Sequence, residues 1–138
     1  MSNYLLINDC HLTNESSHPG SCTASYTDDL FDLLYQASGI AYELNCAAMI
    51  QLGDLFHIKT PGRNSHALIQ RTLRWAKLAP CPLYVVPGNH DLLHDRLESL
   101  NEGQPLGVLF DSGIVKMASG YLDNLPVYGV PWQEYWGW

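Results

Sequence analysis

Three short polar stretches in this sequence combine carboxylate, imidazole and amide side chains. They are Asp9-Cys10-His11, Gly53-Asp54 and Gly88-Asn89-His90-Asp91. Each stretch follows a short apolar run, which is the pattern expected where a buried strand ends. Carboxylate, imidazole and amide oxygen ligands suit manganese, iron or zinc. The stretches therefore predict a divalent metal site, provided that the fold brings them together.

Residue type and spacing suggest which ion each candidate ligand binds. Asp9 and His11 lie two residues apart at a strand end, where alternate side chains share one side, so they can hold one ion together. Asp54 can bridge this ion to a second one, and Asn89 can bind the second ion through its amide oxygen. Two ions about 3.5–4 Å apart would clamp a phosphate and activate a water molecule between them.

The remaining polar pair is assigned to proton transfer. His90 is predicted to act as a general acid for the leaving oxygen, and Asp91 is predicted to orient His90. The alternative for all of these residues is turn and capping chemistry, because Asp, Asn and Gly favour turns. Three strand ends, two of them carrying histidine, favour a functional site over this alternative.

The surrounding elements predict how the three stretches meet. Apolar runs predict strands over 4–8, 47–52 and 82–86, with weaker candidates over 114–117 and 127–130. Periodicity predicts helices from Asp28 or Asp29 to about 45, from a Ser65 cap to about 78, and over 92–100. The first helix would face inward with Leu30, Leu33, Leu34, Ala37, Ala41 and Leu44. The alternation predicts an α/β fold with a parallel sheet, whose ligands bind beyond the carboxyl ends of the strands.

Composition narrows the class of protein. The 138 residues are 46% hydrophobic, enough for one domain with a core. No run of about 18 apolar residues and no secretory signal are present, which predicts a cytoplasmic protein without a membrane span. The four cysteines lack C-x-x-C spacing and are expected to be reduced thiols. The net charge of −7 argues against a broad basic surface, although bound metal cations can attract phosphate esters.

In this order, the three polar stretches resemble the calcineurin-like metallophosphoesterases, whose motifs begin with D-x-H, G-D and G-N-H-D. The match runs residue by residue, and the resemblance extends from residue 4 to about residue 131. Within that superfamily, the stretch GDLFHIKTPGRNS at 53–65 is most similar to the DNA double-strand-break repair nucleases of the SbcCD type.

The resemblance implies a β-sandwich flanked by helices (αββα), of which the first, mainly parallel sheet is best represented here. It implies two divalent ions, manganese first and iron or zinc as alternatives. It also implies hydrolysis of phosphodiesters or phosphomonoesters by a metal-activated water. The nuclease branch further implies DNA as the substrate and an SMC-like ATPase subunit as a partner.

The family pattern continues with three later histidine ligands that this sequence lacks, since none of its six histidines lies beyond His94. We therefore expect residues 1–138 to be the N-terminal portion of a metallophosphoesterase domain, from a longer enzyme, a split gene product or a fragment. A second chain, or a second copy in a homodimer, would then supply the missing ligands. The aromatic tail or another chain would cover the exposed face of the sheet.

His57 departs from the aspartate that the nuclease branch usually carries at this position. We hypothesise that it is an additional ligand, because a loop can turn a residue three after Asp54 back to the metal; the alternative is a solvated loop histidine. Three functions remain open: a repair-type nuclease, a phosphodiesterase or phosphatase acting on small or protein substrates, and a non-catalytic interaction module. Substrate length separates the first two, and a silent His90→Ala would identify the third.

Overall fold

A four-stranded parallel sheet in the order β1-β2-β3-β4 organises the chain, in a computed structural model that describes residues 2–14 and 25–132. The strands are β1 (Asn3–Ile7), β2 (Cys46–Gln51), β3 (Leu83–Val85) and β4 (Val115–Met117). The helices between them are α1 (Tyr26–Glu43), α2 (His66–Lys77) and α3 (Pro105–Asp111). Between β3 and α3 the chain forms 3-10 turns at Asn89–Asp91, Leu93–Asp95 and Leu97–Glu102.

The three helices share one core on one face of the sheet. Trp75 of α2 is fully buried there, and its indole Nε1 donates hydrogen bonds to the Leu34 carbonyl at 3.0 Å and to the Ser38 hydroxyl at 2.9 Å. Since both acceptors belong to α1, this side chain fixes the two helices against each other. The sheet and helices contribute these buried residues, among others: Phe31, Leu34, Met49, Leu68, Trp75, Val85, Leu106 and Leu109.

A short antiparallel hairpin covers part of the opposite face. Its strands are β5 (Gly120–Tyr121) and β6 (Tyr128–Gly129). The cover is partial, because Leu6 of β1 is 61% exposed and Leu52 after β2 is 44% exposed. The expected cover by the aromatic tail falls mostly on residues 133–138, which lie outside the described residues. The buried residues on this face are Ala48, Ile50, Tyr84, Ala118 and Leu122.

The predicted α/β fold with a parallel sheet is confirmed. The Ser65 cap of α2 is also confirmed, since its hydroxyl accepts a hydrogen bond from the Leu68 amide at 3.1 Å. The start of α1 differs from the prediction. The helix begins at Tyr26, so Asp28 and Asp29 lie in its first turn, where carboxylates favour the helix dipole.

The first strand is confirmed but its predicted burial is wrong, and the predicted helix over 92–100 is wrong. β1 is only half-buried, because it is an edge strand of the sheet, whereas the apolar run predicts a buried one. The predicted helix over 92–100 is instead a series of 3-10 turns, interrupted at His94 by a left-handed backbone with φ of 55°. The helix α3 is not anticipated, although Pro105 at its first turn is a typical start signal.

Two expectations from composition can be compared with the structure. No helix in the described ranges 2–14 and 25–132 is long and apolar enough to cross a membrane. Cys10, Cys46 and Cys81 are free thiols, whereas Cys22 lies outside the described residues.

Candidate metal centre

The segments that follow β1 and β2 stay paired beyond the ends of these strands. The amides of His11 and Leu12 donate hydrogen bonds to the carbonyls of Asp54 and Leu55, at 2.9 Å and 2.8 Å. The amide of His57 then donates to the Leu12 carbonyl at 2.9 Å. Because the pairing fixes the two segments side by side, the D-x-H and G-D stretches meet at one edge of the sheet.

Asp9, His11 and Asp54 form a group that could hold a metal ion. One donor atom from each residue lies within 4.8 Å of the other two. The Nε2 atom of His11 is 4.0 Å from Oδ2 of Asp54, and their side chains are 42% and 19% exposed. The other oxygen of Asp54, Oδ1, is buried and has no hydrogen-bond partner among the described residues. A buried carboxylate oxygen without a partner is costly, so the donor set fits a divalent cation.

The backbone at these three residues is left-handed. The φ angles of Asp9, His11 and Asp54 are 46°, 48° and 53°. Asp9 and His11 lie beyond the end of β1, so left-handed turns, rather than the alternation of an extended strand, bring their side chains together. Asp and His adopt this conformation more readily than most residues, yet it is uncommon outside glycine. Such conformations cluster at functional sites, where the surrounding structure holds them in place.

Two buried polar side chains fix the turn that carries Asp54. The Oε1 atom of Gln51 accepts a hydrogen bond from the Gly53 amide at 2.9 Å, and its Nε2 donates to the Gly53 carbonyl. Oδ2 of Asp91 accepts from the amides of Gly88 and Asp54, at 2.9 Å and 3.0 Å. Asp91 therefore joins the loop after β3 to the loop after β2. Burial raises the pKa of the Asp91 carboxyl, and these backbone hydrogen bonds oppose the rise.

The glycines of these two loops approach each other closely. Gly53 has a φ of 106°, and a Cβ atom there would lie 3.4 Å from the Val86 carbonyl oxygen and 3.5 Å from Gly88 Cα. Glycine at position 53 is thus favoured by the left-handed backbone conformation, whereas a Cβ atom there would meet the facing loop at ordinary van der Waals distances. The glycine of the G-D stretch has this structural reason as well as its place in the family pattern.

A cavity of ≈ 430 Å³ opens beside the candidate metal group. His57 belongs to its wall, and its ring centroid is 5.7 Å from that of His11. Asn89 is exposed on the turn Asn89–Asp91 and is not among the described residues that line the cavity. The assignments of Asn89 to a second ion, and of His90 and Asp91 to proton transfer, stay predictions. The described lining residues are Asp9, His11, Asp54, Phe56, His57, Lys59 and His90.

Some residues of the site are not anticipated by the motifs. Phe56 and Lys59 line the cavity, while Gln51 holds the turn at Gly53 that leads to Asp54. A polar residue at the end of an otherwise apolar strand was the available signal for Gln51, because buried polar groups need partners. Cys10 is not part of the candidate metal group, and burial raises the pKa of its thiol to about 11.

A parallel α/β sheet whose strand ends gather two carboxylates and an imidazole defines a metal-binding α/β protein. The chain belongs to the calcineurin-like phosphoesterase family, whose sequence model matches residues 2–136. The chain is also similar to the DNA double-strand break repair protein Mre11 of Saccharolobus solfataricus. They are 24% identical over 107 residues, which cover 75% of this chain and 27% of that protein. The chain thus spans well under half the length of this relative.

Proposed function

We propose that this chain is the metal-binding portion of a phosphodiesterase that hydrolyses DNA with a metal-activated water. The observation that carries the proposal is the group formed by Asp9, His11 and Asp54, in which Oδ1 of Asp54 is buried without a partner among the described residues. Membership of the calcineurin-like phosphoesterase family supports phosphoester hydrolysis. Similarity to a protein named for DNA break repair supports DNA as the substrate.

Asp9, His11 and Asp54 would hold one divalent ion, with manganese as the first choice and iron or zinc as alternatives. A bound ion would polarise a phosphate oxygen and lower the pKa of a bound water. The left-handed turns bring donor atoms of the three side chains within 4.8 Å of one another.

His90 is the proposed general acid, because its side chain lines the same cavity and an imidazolium can protonate a leaving oxygen. Asp91 supports the turn that carries His90 through its hydrogen bonds to Gly88 and Asp54. Asn89, on the same turn, is the proposed ligand of a second ion, and His57 is a proposed additional ligand. A second polypeptide or a second copy of this chain would supply further histidines, and an SMC-like ATPase is the proposed partner subunit.

Manganese binding by the purified chain tests the proposal. Asp54→Asn removes one carboxylate with little change in size, and Asp111→Asn removes the same charge from an exposed position at the end of α3. We expect Asp54→Asn to weaken manganese binding by at least the roughly 10–100-fold that loss of an outer-shell partner costs, and Asp111→Asn to leave it unchanged. Equal manganese affinity in the wild type and both variants would contradict the proposal.

Substrate length distinguishes DNA from small phosphodiesters. Hydrolysis of a long duplex DNA is compared with hydrolysis of bis(p-nitrophenyl) phosphate, with and without manganese, in the wild type and His90→Ala. Manganese-dependent cleavage of DNA that His90→Ala reduces would support a nuclease. Cleavage of the small ester alone would favour a different phosphodiesterase, and a variant without effect on activity or binding would favour a non-catalytic interaction module.

A further inference from the structure

Lys59 lies in the wall of the cavity beside the candidate metal group. Among the described residues that line this cavity, it contributes the one permanent positive charge, beside the carboxylates of Asp9 and Asp54 and three imidazoles. The chain as a whole carries 7 Lys and Arg against 14 Asp and Glu. In so acidic a chain, a lysine in the cavity wall creates a local position where an anion is favoured.

The backbone and the ammonium of Lys59 are both held in place. Its Nζ donates a hydrogen bond to the Leu92 carbonyl at 2.8 Å, and its own carbonyl accepts one from Nε2 of Gln104 at 3.2 Å. Gln104 is fully buried, and the same Nε2 also donates to the Asp91 carbonyl at 2.9 Å. The ammonium of Lys59 is therefore bonded directly to the loop that carries His90, and its backbone carbonyl is connected to the same loop through Gln104. An ammonium has three N–H donors, and the bond to Leu92 uses one of them.

We propose that Lys59 binds a non-bridging phosphate oxygen of the substrate and of the phosphate-bearing product. This inference rests on the proposed function, because that function places a phosphoester in the same cavity. A lysine acts on phosphate as a point charge, so its ammonium does not demand one orientation of the ester. The competing explanation is a purely structural role, in which Lys59 only ties its own loop to Leu92.

Inorganic phosphate is the probe, and its binding to the manganese-loaded chain is measured by titration calorimetry. Lys59→Met keeps the length of the side chain and removes the charge, whereas Lys59→Arg keeps the charge. Lys77→Met is the matched control, because Lys77 is exposed at the last residue of α2, which leads to the start of β3 rather than to the strand ends. We expect Lys59→Met to weaken phosphate binding about tenfold or more, Lys59→Arg to retain most of it, and Lys77→Met to have no effect.

Manganese affinity and thermal stability separate binding from structure. Loss of a positive charge beside a cation site should leave manganese affinity unchanged or slightly higher in Lys59→Met. Parallel losses of stability, manganese affinity and phosphate affinity in Lys59→Met would assign Lys59 a structural role and overturn the inference. Unchanged phosphate affinity in Lys59→Met, with normal manganese binding, would also overturn it while leaving the proposed function intact.

Failure of the proposed function gives a different result, namely a wild-type chain that binds no manganese. The same variants are then compared for phosphate binding in metal-free buffer. A loss confined to Lys59→Met would still assign phosphate binding to Lys59, whereas equal affinity in all variants would overturn that assignment.

Discussion

Replacing Gln51 with leucine should loosen the turn that positions Asp54. The Gln51 amide satisfies both the N–H and the carbonyl of Gly53 in the buried space under the site. In Gln51→Leu, both backbone groups lose this partner, and a buried polar group left unsatisfied costs about 1–3 kcal/mol. The two costs together come to about 2–6 kcal/mol, and the apolar leucine offsets part of them. We expect the free energy of unfolding to fall by about 2–4 kcal/mol.

The assay combines urea unfolding with manganese binding. Because the turn of Gly53 leads directly into Asp54, Gln51→Leu should also weaken manganese binding by about 10–100-fold. Thr72→Val is the control, since Thr72 is fully buried in α2 and its hydroxyl donates to the Leu68 carbonyl at 2.8 Å. This change should cost about 1 kcal/mol of stability and leave manganese affinity unchanged.

Two outcomes would refute this reasoning about Gln51. Wild-type stability in Gln51→Leu would mean that the turn at Gly53 holds its shape without the amide. Lower stability with unchanged manganese affinity would mean that Gln51 stabilises the fold without positioning Asp54. Only a joint loss, absent from Thr72→Val, supports a positioning role.

Two other features of the fold yield direct tests. A Cβ atom on Gly107 would lie 1.9 Å from the Leu100 carbonyl oxygen, so Gly107→Ala should lower the free energy of unfolding by about 3 kcal/mol or more. Gly39 in α1 has open space around it, so Gly39→Ala should raise the free energy of unfolding by about 0.5–1 kcal/mol. Both are measured by urea unfolding, and similar effects of the two changes would contradict the close packing at Gly107. Burial and the hydrogen bond to Asp123 raise the pKa of Tyr84 from 10.0 to about 12. The contribution of the neutral Tyr84 phenol to the stability of the fold is therefore complete below pH 10 and is lost as the pH rises to about 12. Asp123→Asn should lower the pKa of Tyr84, measured from phenolate absorbance with Tyr84→Phe as the reference, and an unchanged titration would refute the contact.

The parallel sheet could be predicted because its strands are apolar runs that stop at polar residues. The face of α1 could be predicted in part, since Leu34 and Ala41 are buried as expected. The rest could not, because apolar residues occupy more than one side of this helix. Its periodicity favours Leu33 and Leu44 as core residues, yet they are 60% and 54% exposed. Phe31 is fully buried instead, where the guanidinium of Arg71 from α2 lies 4.4 Å from its ring centroid. Which apolar stripe is buried therefore depends on the neighbouring helix, which lies far away in sequence.

The residue types of the site could be read from the motifs, whereas the forces that assemble it could not. Spacing brings Asp9 near His11, but His11 is also held by pairing with the segment after β2. The turn of Asp54 has two partners: Gln51 at the end of β2, which bonds Gly53, and Asp91 from the loop after β3, which accepts from the Asp54 amide. Each of these contacts lies between residues of this chain.

The candidate metal group is positioned by hydrogen bonds between the loops that carry it. The amide of His11 bonds the carbonyl of Asp54, and the amide of Asp54 bonds the carboxylate of Asp91, so three loops hold one another in register. The Oδ1 atom of Asp54 is buried and has no hydrogen-bond partner among the described residues. A cation bound there would neutralise the Asp54 carboxylate. Because these backbone contacts position the candidate ligands, metal affinity should fall in variants that weaken the contacts.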